Sequence, residues 1–417
     1  MVKNAQMRKI QILLCFFIFS LKLFAASDPY YIKSVAFTQG NESLIPIFRL
    51  NESFQFSFDD LLGTENDYYY KIVHCDRNWN VSNIKITEYL NGMQNLRLSN
   101  YVTSFNTFQR FVHYQFTLPN RETQLTISGN YILEIYNDRD EKVIERKFVL
   151  YEDVVSVGMA IKKTRDLSVT AFKQNIDLTI DFGEVTLQNP KKNIGVTVLQ
   201  NGQWSNALKN LKPQYIIGNQ FRYQYDKESN FWAGNEYLHF DTSDIRNINN
   251  NVAYVLNNDL YETHLKPRAP MSFDNGYTFH QDVNGAFKPR NRFKENAAME
   301  ADYSWVYFSY ELPKLDSDKK LFVVGMFSNY QLTNDYELTF DTKINMYRTA
   351  LLVKQGFTNY KYVIAKNDGT VLEDLNPDGN YYETENVYHA LVYFKNDADR
   401  YDRVIGLGKA DSKLITN

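Results

Sequence analysis

The chain has 417 residues, a formal net charge of −3 and 15% aromatic side chains, with 31 Tyr and 29 Phe against 18 Gly and 10 Pro. That length exceeds one ordinary core, so two or three domains are expected. The aromatic content excludes a disordered chain, and the acidic balance excludes a general nucleic-acid binder.

Lys3, Arg8 and Lys9 precede an apolar run from Ile10 to Phe24, followed by the small residues Ala25-Ala26-Ser27. This pattern predicts a cleaved secretory signal over 1–25. The run is short for a bilayer span of ~20 residues, and Lys22 breaks it. Cys15 follows Leu14 and not a small residue, so lipidation is not expected. No later segment is long and apolar enough for a span. Removing 1–25 takes four basic residues and no acid, which moves the net charge from −3 to −7 and leaves Cys75 alone. One Cys makes no internal disulfide, and no Cys/His spacing predicts a zinc site.

Beyond the signal the apolar residues alternate with period two. Phe54-Gln55-Phe56-Ser57-Phe58 opens the series, and Tyr68 to Cys75 follows as a strand ending at Asp76-Arg77-Asn78. Gly129 to Tyr136 and Val143 to Leu150 read as a late hairpin. Further on, Ile176 to Ile180, Phe221 to Tyr225 and Tyr303 to Leu312 repeat the pattern, separated by turn formers such as Asn201-Gly202, Asp368-Gly369 and Pro377-Asp378-Gly379. No long amphipathic helix is present. The expectation is an all-β protein of two to three immunoglobulin-like β-sandwich domains, in consecutive sections 26–152, 153–299 and 300–417. Arg246 to Asn251 and Lys288 to Glu295 read as loops.

His74, Cys75 and Asp76 invite a chemical reading. Adjacent strand residues point to opposite faces, so His74 and Cys75 do not serve one centre. His74 and Asp76 share a face, which leaves an imidazole–carboxylate bond open. A thiol nucleophile needs a base within reach, and Cys75 has none on its own face. The structural reading, a strand end, is preferred.

Several separated stretches carry a resemblance. "YYYKIVHCDRNWNVSNIKITEYLNGMQ" (68–94) holds His74, Cys75, Asp76, Trp79, Tyr89 and Gly92; "YVTSFNTFQRFVHYQFTLPN" (101–120) holds Asn106, His113 and Tyr114; "SGNYILEIYND" (128–138) holds Gly129 and Tyr131. Toward the end, "LFVVGMFSNYQL" (321–332) holds Gly325 and Phe327, "LLVKQGFTNYKYV" lies at 351–363, and "YYETENVYHALVYFKNDADRYDRVIGLG" (381–408) holds Tyr401, Asp402 and Arg403. In this order they resemble the plug proteins of the type IX secretion system of Bacteroidetes. Tyr330 departs from the Trp of that pattern, and Asn78 from an acidic or small residue. The resemblance implies a periplasmic protein held at the outer membrane through its partner, the translocon barrel. It would cap the barrel's periplasmic mouth without catalysis or cofactor. Asn95 to Asn106 and Phe287 to Lys294 are candidate contact loops, the second through Lys288, Arg290 and Arg292.

Two rival readings attach to other residues. Gly325-Met326-Phe327-Ser328-Asn329-Tyr330 also resembles the strand-turn of immunoglobulin-like starch-associated modules, so an exported glycan-binding sandwich is the alternative function. Such a platform would expose two or three coplanar aromatics, whereas a structural module would bury Phe327 and Tyr330. Acid pairs such as Asp59-Asp60 and Glu383/Glu385 could serve glycoside hydrolysis, but acids this common pair by chance. No G-x-S-x-G, H-E-x-x-H or phosphate loop occurs, so neither catalytic nor metal-binding residues are expected. Arg400 and Asp402 could pair along one face of a last strand. Truncation before Tyr401 is expected to destabilise the third domain.

Overall fold

The computed structural model describes residues 27–40, 42–43, 45–249, 251–271, 276–279, 282–413 and 415; the expected signal over 1–25 lies outside them. Strands dominate, and the described α-helices are single turns of four residues, Ile86–Tyr89, Pro190–Asn193 and Ala297–Glu300. Among the described residues no helix is long and apolar enough to cross a membrane.

The first sandwich faces two five-stranded sheets. One runs in the order Glu42–Ser43, Ile32–Gln39, Phe54–Asp60, Val112–Leu118, Tyr101–Thr103. The other runs Ile47–Arg49, Lys142–Tyr151, Gly129–Asn137, Tyr68–Cys75, Leu96–Arg97. Phe54, Phe56 and Phe58 turn inward as their alternation predicts, while Gln55 and Ser57 do not. Phe48 stacks on Phe54 at 4.0 Å, and Phe58 on Tyr114 at 5.1 Å, so aromatic faces fill the space between the sheets. The candidate loop 95–106 contributes the short strands Leu96–Arg97 and Tyr101–Thr103.

The remaining strands group otherwise than the consecutive sections 153–299 and 300–417. Val387–Phe394 and Arg403–Asp411, read as part of the C-terminal sandwich, join Ile194–Gln200 and Gln203–Lys209 in one sheet. This sheet shares a core with the strands Ser156–Lys163, Lys173–Asp181, Gln220–Tyr223 and Tyr215–Ile217. The reason lies in composition. Val387–Phe394 has seven successive buried residues and Ile194–Gln200 is buried throughout, so each must be a central strand covered on both faces.

A nine-stranded sheet forms the third body. It runs Leu238–Asp241, Gly356–Lys366, Lys319–Val324, Glu337–Asp341, Met346–Lys354, Tyr303–Tyr310, Tyr261–Leu265, Val252–Asn257, with Phe287–Pro289 also on Gly356–Lys366. The last pairing gives a short strand to a segment read as loop. Residues from both ends of this order, Phe240 and Val252, share one core with Val306, Phe308 and Tyr362, so the sheet closes over itself. The third body is thus inserted between Trp232 and Val387 of the middle one.

It follows that the final strand supports the middle sandwich and not the third. Truncation before Tyr401 is expected to expose the middle core, so that limited proteolysis cuts first within 154–232. Initial cleavage within 303–366 would instead return this strand to the third body.

Candidate functional site

The strand Tyr68–Cys75 delivers His74 and Cys75 to opposite faces, and the chain then turns. Asp76 Oδ1 accepts from the N–H groups of Asn78 (2.8 Å) and Asn80 (2.9 Å), and Trp79 takes a left-handed φ of 70°. The carboxylate therefore caps its own turn and does not bond His74. His74 Nδ1 instead pairs with Ser82 Oγ at 2.8 Å, and its ring meets Tyr131 edge-on at 4.9 Å and Tyr401 at 5.7 Å. Gly129 is required beside it, since a Cβ there would lie 2.3 Å from His74 Nε2 at a φ of +153°. Burial lowers the His74 pKa to about 4 and pushes the Cys75 thiol up to about 12. At neutral pH the ring is therefore uncharged and the thiol protonated.

What this turn does is join two bodies. Arg77 pairs with Asp402 at 3.0 Å, and its backbone N–H donates to the same carboxylate. Gly195 leaves room for the guanidinium, which a Cβ would meet at 2.1 Å. Ser128 Oγ donates to Glu152 Oε1 (2.6 Å) and accepts from the Val404 N–H (3.1 Å), while Arg403 grips Glu152 Oε2 at 2.6 Å. Tyr393 Oη donates to Asn130 Oδ1 at 2.8 Å, on the residue directly across from Cys75. Trp79 meets Trp204 edge-on at 4.7 Å under the Lys147 ammonium. Arg400 reaches Glu88 and not Asp402. The last strand begins at Arg403 and is tied into its own sheet as expected, and Tyr401, Asp402 and Arg403 at its start also bind the first sandwich.

A second seam joins the first and third bodies. Asp59 is fully buried: its Oδ1 accepts from His113 Nδ1 (2.6 Å), and its Oδ2 from Lys354 Nζ (2.7 Å) and Tyr303 Oη (2.6 Å). Ser34 Oγ lies 2.6 Å from Tyr303 Oη and supplies the remaining proton. Burial alone would raise the Asp59 pKa, but Lys354 and His113 outweigh it and hold the carboxyl below the ordinary value. Beside it, the Asp302 carboxylate accepts from the backbone N–H groups of Phe108 (2.6 Å) and Gln109 (3.1 Å). Sequence reasoning singled out His113 but missed Lys354, Tyr303 and Asp302. The His113–Asp59 cross-strand pair was the available signal.

The other sequence-predicted residues take packing roles. Tyr89, Tyr114 and Tyr131 donate to the backbone carbonyls of Ile72, Asn66 and Ile127. Gly92 and Asn106 hold left-handed or extended-positive backbone, with φ of 128° and 57°. Gly325 leaves space for the Phe327 ring and Asn359 O. Phe327 packs against the third core, and Tyr330 turns inward to donate to Gly285 O at 2.6 Å. Lys288, Arg290 and Arg292 are exposed and form no ion pair among the described residues. Among the described residues no His/Cys/Asp/Glu group is arranged to hold a metal.

Comparison with known proteins agrees with this construction. Residues 32–152 match the family described as Type 9 secretion system plug protein 1st domain. The first sandwich is thus similar to the first domain of type IX secretion plug proteins. The match ends at Glu152, the residue Arg403 grips. Beyond the matched domain the likeness is structural: a crystal structure of a hypothetical protein from Parabacteroides merdae superposes with a TM-score of 0.88 at 27% identity, covering 94% of this chain and 100% of that one. A search of curated proteins finds no match.

Both seams give measurable consequences. Lys354→Met leaves a buried, unpaired carboxylate and should cost about 3–5 kcal/mol in denaturant melts, whereas the Asp59→Asn/Lys354→Met double variant should recover part of it. A loss below about 1 kcal/mol for the single variant would show that the pair does not fasten the seam. For His74 the folded pKa lies below the ordinary 6.5, so folding favours the neutral ring. Its contribution is complete above pH 6.5 and is lost as pH falls toward 4, on the order of 1–3 kcal/mol. His74→Gln should remove that part of the pH dependence; an unchanged pH profile in this variant would refute the assignment.

Proposed function

We propose that the chain is a non-catalytic periplasmic plug that caps the periplasmic opening of the type IX outer-membrane translocon barrel. The family match supplies the secretion system. The observation that carries the finer reading is the fate of the polar residues: the His, Cys, Asp, Lys and Tyr groups that resemble reaction chemistry are closed into seams between sandwiches. Asp59 and Lys354 have side-chain exposures of 0% and 2%, which leaves a substrate no approach to them. A cap works by filling an opening, and a body that fills an opening must resist bending. Buried pairs that align three sandwiches supply that resistance, and filling an opening calls on no thiolate or base.

The glycan reading loses its main support at Phe327 and Tyr330, both turned inward. A second aromatic row, Tyr254–His264–Tyr307, stacks face to face at 4.3 and 4.1 Å, with the outer Tyr254 47% exposed. Its rings lie one over another, whereas a sugar platform sets two or three rings side by side in one plane.

The plug reading is tested with purified barrel in a planar bilayer. Adding the chain from the periplasmic side should lower the open-pore current, with boiled protein as control. An unchanged current at saturating concentration, with no copurification of chain and barrel, would end the reading.

A further inference from the structure

Resting on that reading, we propose that the strand Tyr215–Ile217 is an open docking edge, onto which an extended acidic segment of the translocon adds as a further strand. Tyr215–Ile217 ends the sheet order Ser156–Lys163, Lys173–Asp181, Gln220–Tyr223, Tyr215–Ile217, and its far side pairs with no strand among the described residues. Tyr215, Ile216 and Ile217 are 50%, 48% and 54% exposed. Successive strand residues point to opposite faces, so exposure of all three means that neither face is covered. Sheet edges in soluble proteins are ordinarily guarded by charge, proline or a bulge on the edge strand itself. This one carries Tyr-Ile-Ile, with Pro213 the nearest guard, two residues upstream.

Charge selects the occupant. Residues 185–225 contain Lys191, Lys192, Lys209, Lys212 and Arg222 and no acid, in a chain with 49 acids. Lys209 and Lys212 lie just before the edge and are exposed, and Arg222 stands across from Tyr215. None of the three forms an ion pair among the described residues; Arg222 donates only to Gln220 Oε1, at 3.0 Å. Of the nearby acids, Asp177 pairs with Lys162 and Asp226 with Arg165, while Asp181, across Gln220 from Ile217, accepts from Gln220 Nε2 (2.7 Å) and the Gly183 N–H (2.8 Å) and has no cation partner among the described residues. Lys163 lies over the Tyr382 ring. The edge therefore presents backbone groups, apolar side chains and a positive excess at its Tyr215 end, three cations without ion pairs against the one carboxylate of Asp181 at the Ile217 end, which matches an extended segment bearing Asp or Glu between apolar residues.

Two other occupants fit less well. A second copy would bring like charges together. A hairpin that enters lipid carries its apolar residues at the apex, but here the apex is Gly218-Asn219 and the apolar residues run along the side.

The test places a photo-crosslinking residue at position 216 of the full chain in its native cells, with position 167 as an exposed control (Leu167 is 87% exposed). The expected product joins 216, and not 167, to an acid-bearing peptide of the translocon, identified by mass spectrometry. In parallel, Lys209→Glu/Lys212→Glu should weaken binding to purified barrel about tenfold, with a reduced salt dependence. Ile216→Pro should do likewise while leaving the far-ultraviolet dichroism unchanged. Crosslinks only to lipid, only to a second copy, or equally from both positions overturn the proposal, as does unaltered affinity in all variants. If the variants bind like the unaltered chain and the current still falls, the edge is wrong and the plug reading stands. If the unaltered chain does not bind the barrel, both fall.

Discussion

The arrangement depends on one desolvated carboxylate. Asp59 sits on the first sandwich with no exposed surface, and only the third body brings Lys354 and Tyr303 to it. Separating the bodies would leave the carboxylate and the ammonium each without its main partner, and the sterically intermediate states leave them buried and unpaired. Such a pair adds little net stability over apolar packing, because both ions are stripped of water. What it adds is discrimination: a misaligned seam costs the full desolvation of two charges, so the bodies meet in one register or not at all. Phe111 reinforces this, lying 4.2 Å from the Lys354 ammonium and edge-on to Tyr303.

The chain path turns two seams into a closed set of constraints. The first sandwich is bound to the middle one through Arg77–Asp402 and Glu152–Arg403, and to the third through Asp59. The middle and third bodies are joined by two chain crossings, because the third is inserted between strands of the middle. Gln203 Nε2 also donates to Tyr237 Oη at 3.0 Å where the chain passes from one to the other. Each body is therefore fixed to both others, and a hinge at any one seam must break another. Ordinary domain pairs with a single polar interface move relative to one another; a three-way closure removes that freedom at small cost in apolar area.

Much of the strand content was readable from period two, because one covered face imposes it directly: Phe54, Phe56 and Phe58 point inward as their spacing requires. The sheet to which a strand belongs was less readable. Val387–Phe394, apolar but for His389, reads as a central strand, but nothing local says that its neighbour is Ile194–Gln200, nearly two hundred positions away. The site shows the same division. The signature around His74 was visible as a pattern, yet its meaning depends on the bond from Arg77 to Asp402, 325 positions further on. His74 and Asp76 shared a face only so long as the strand continued, and the turn that Asp76 itself caps ends it. Lys354 was invisible for a different reason. A lone cation after Leu351-Leu352-Val353 reads as a strand end in water, and only the fold reveals the carboxylate that buries it.

Rigidity and release make opposite demands on a cap, and the molecule separates them. The seams use groups with almost no exposure, whose loss would open the whole assembly. The proposed docking edge uses three residues and exposed surface cations. An edge that short accommodates only a few backbone hydrogen bonds, each worth about 1 kcal/mol net, and its charges are screened by salt. Affinity drawn from such an edge is set chiefly by the dissociation rate, and a competitor can displace it without unfolding either partner. A stiff body with a weak, localised grip can block an opening and still be exchanged; placing the grip within the seams would have tied release to unfolding.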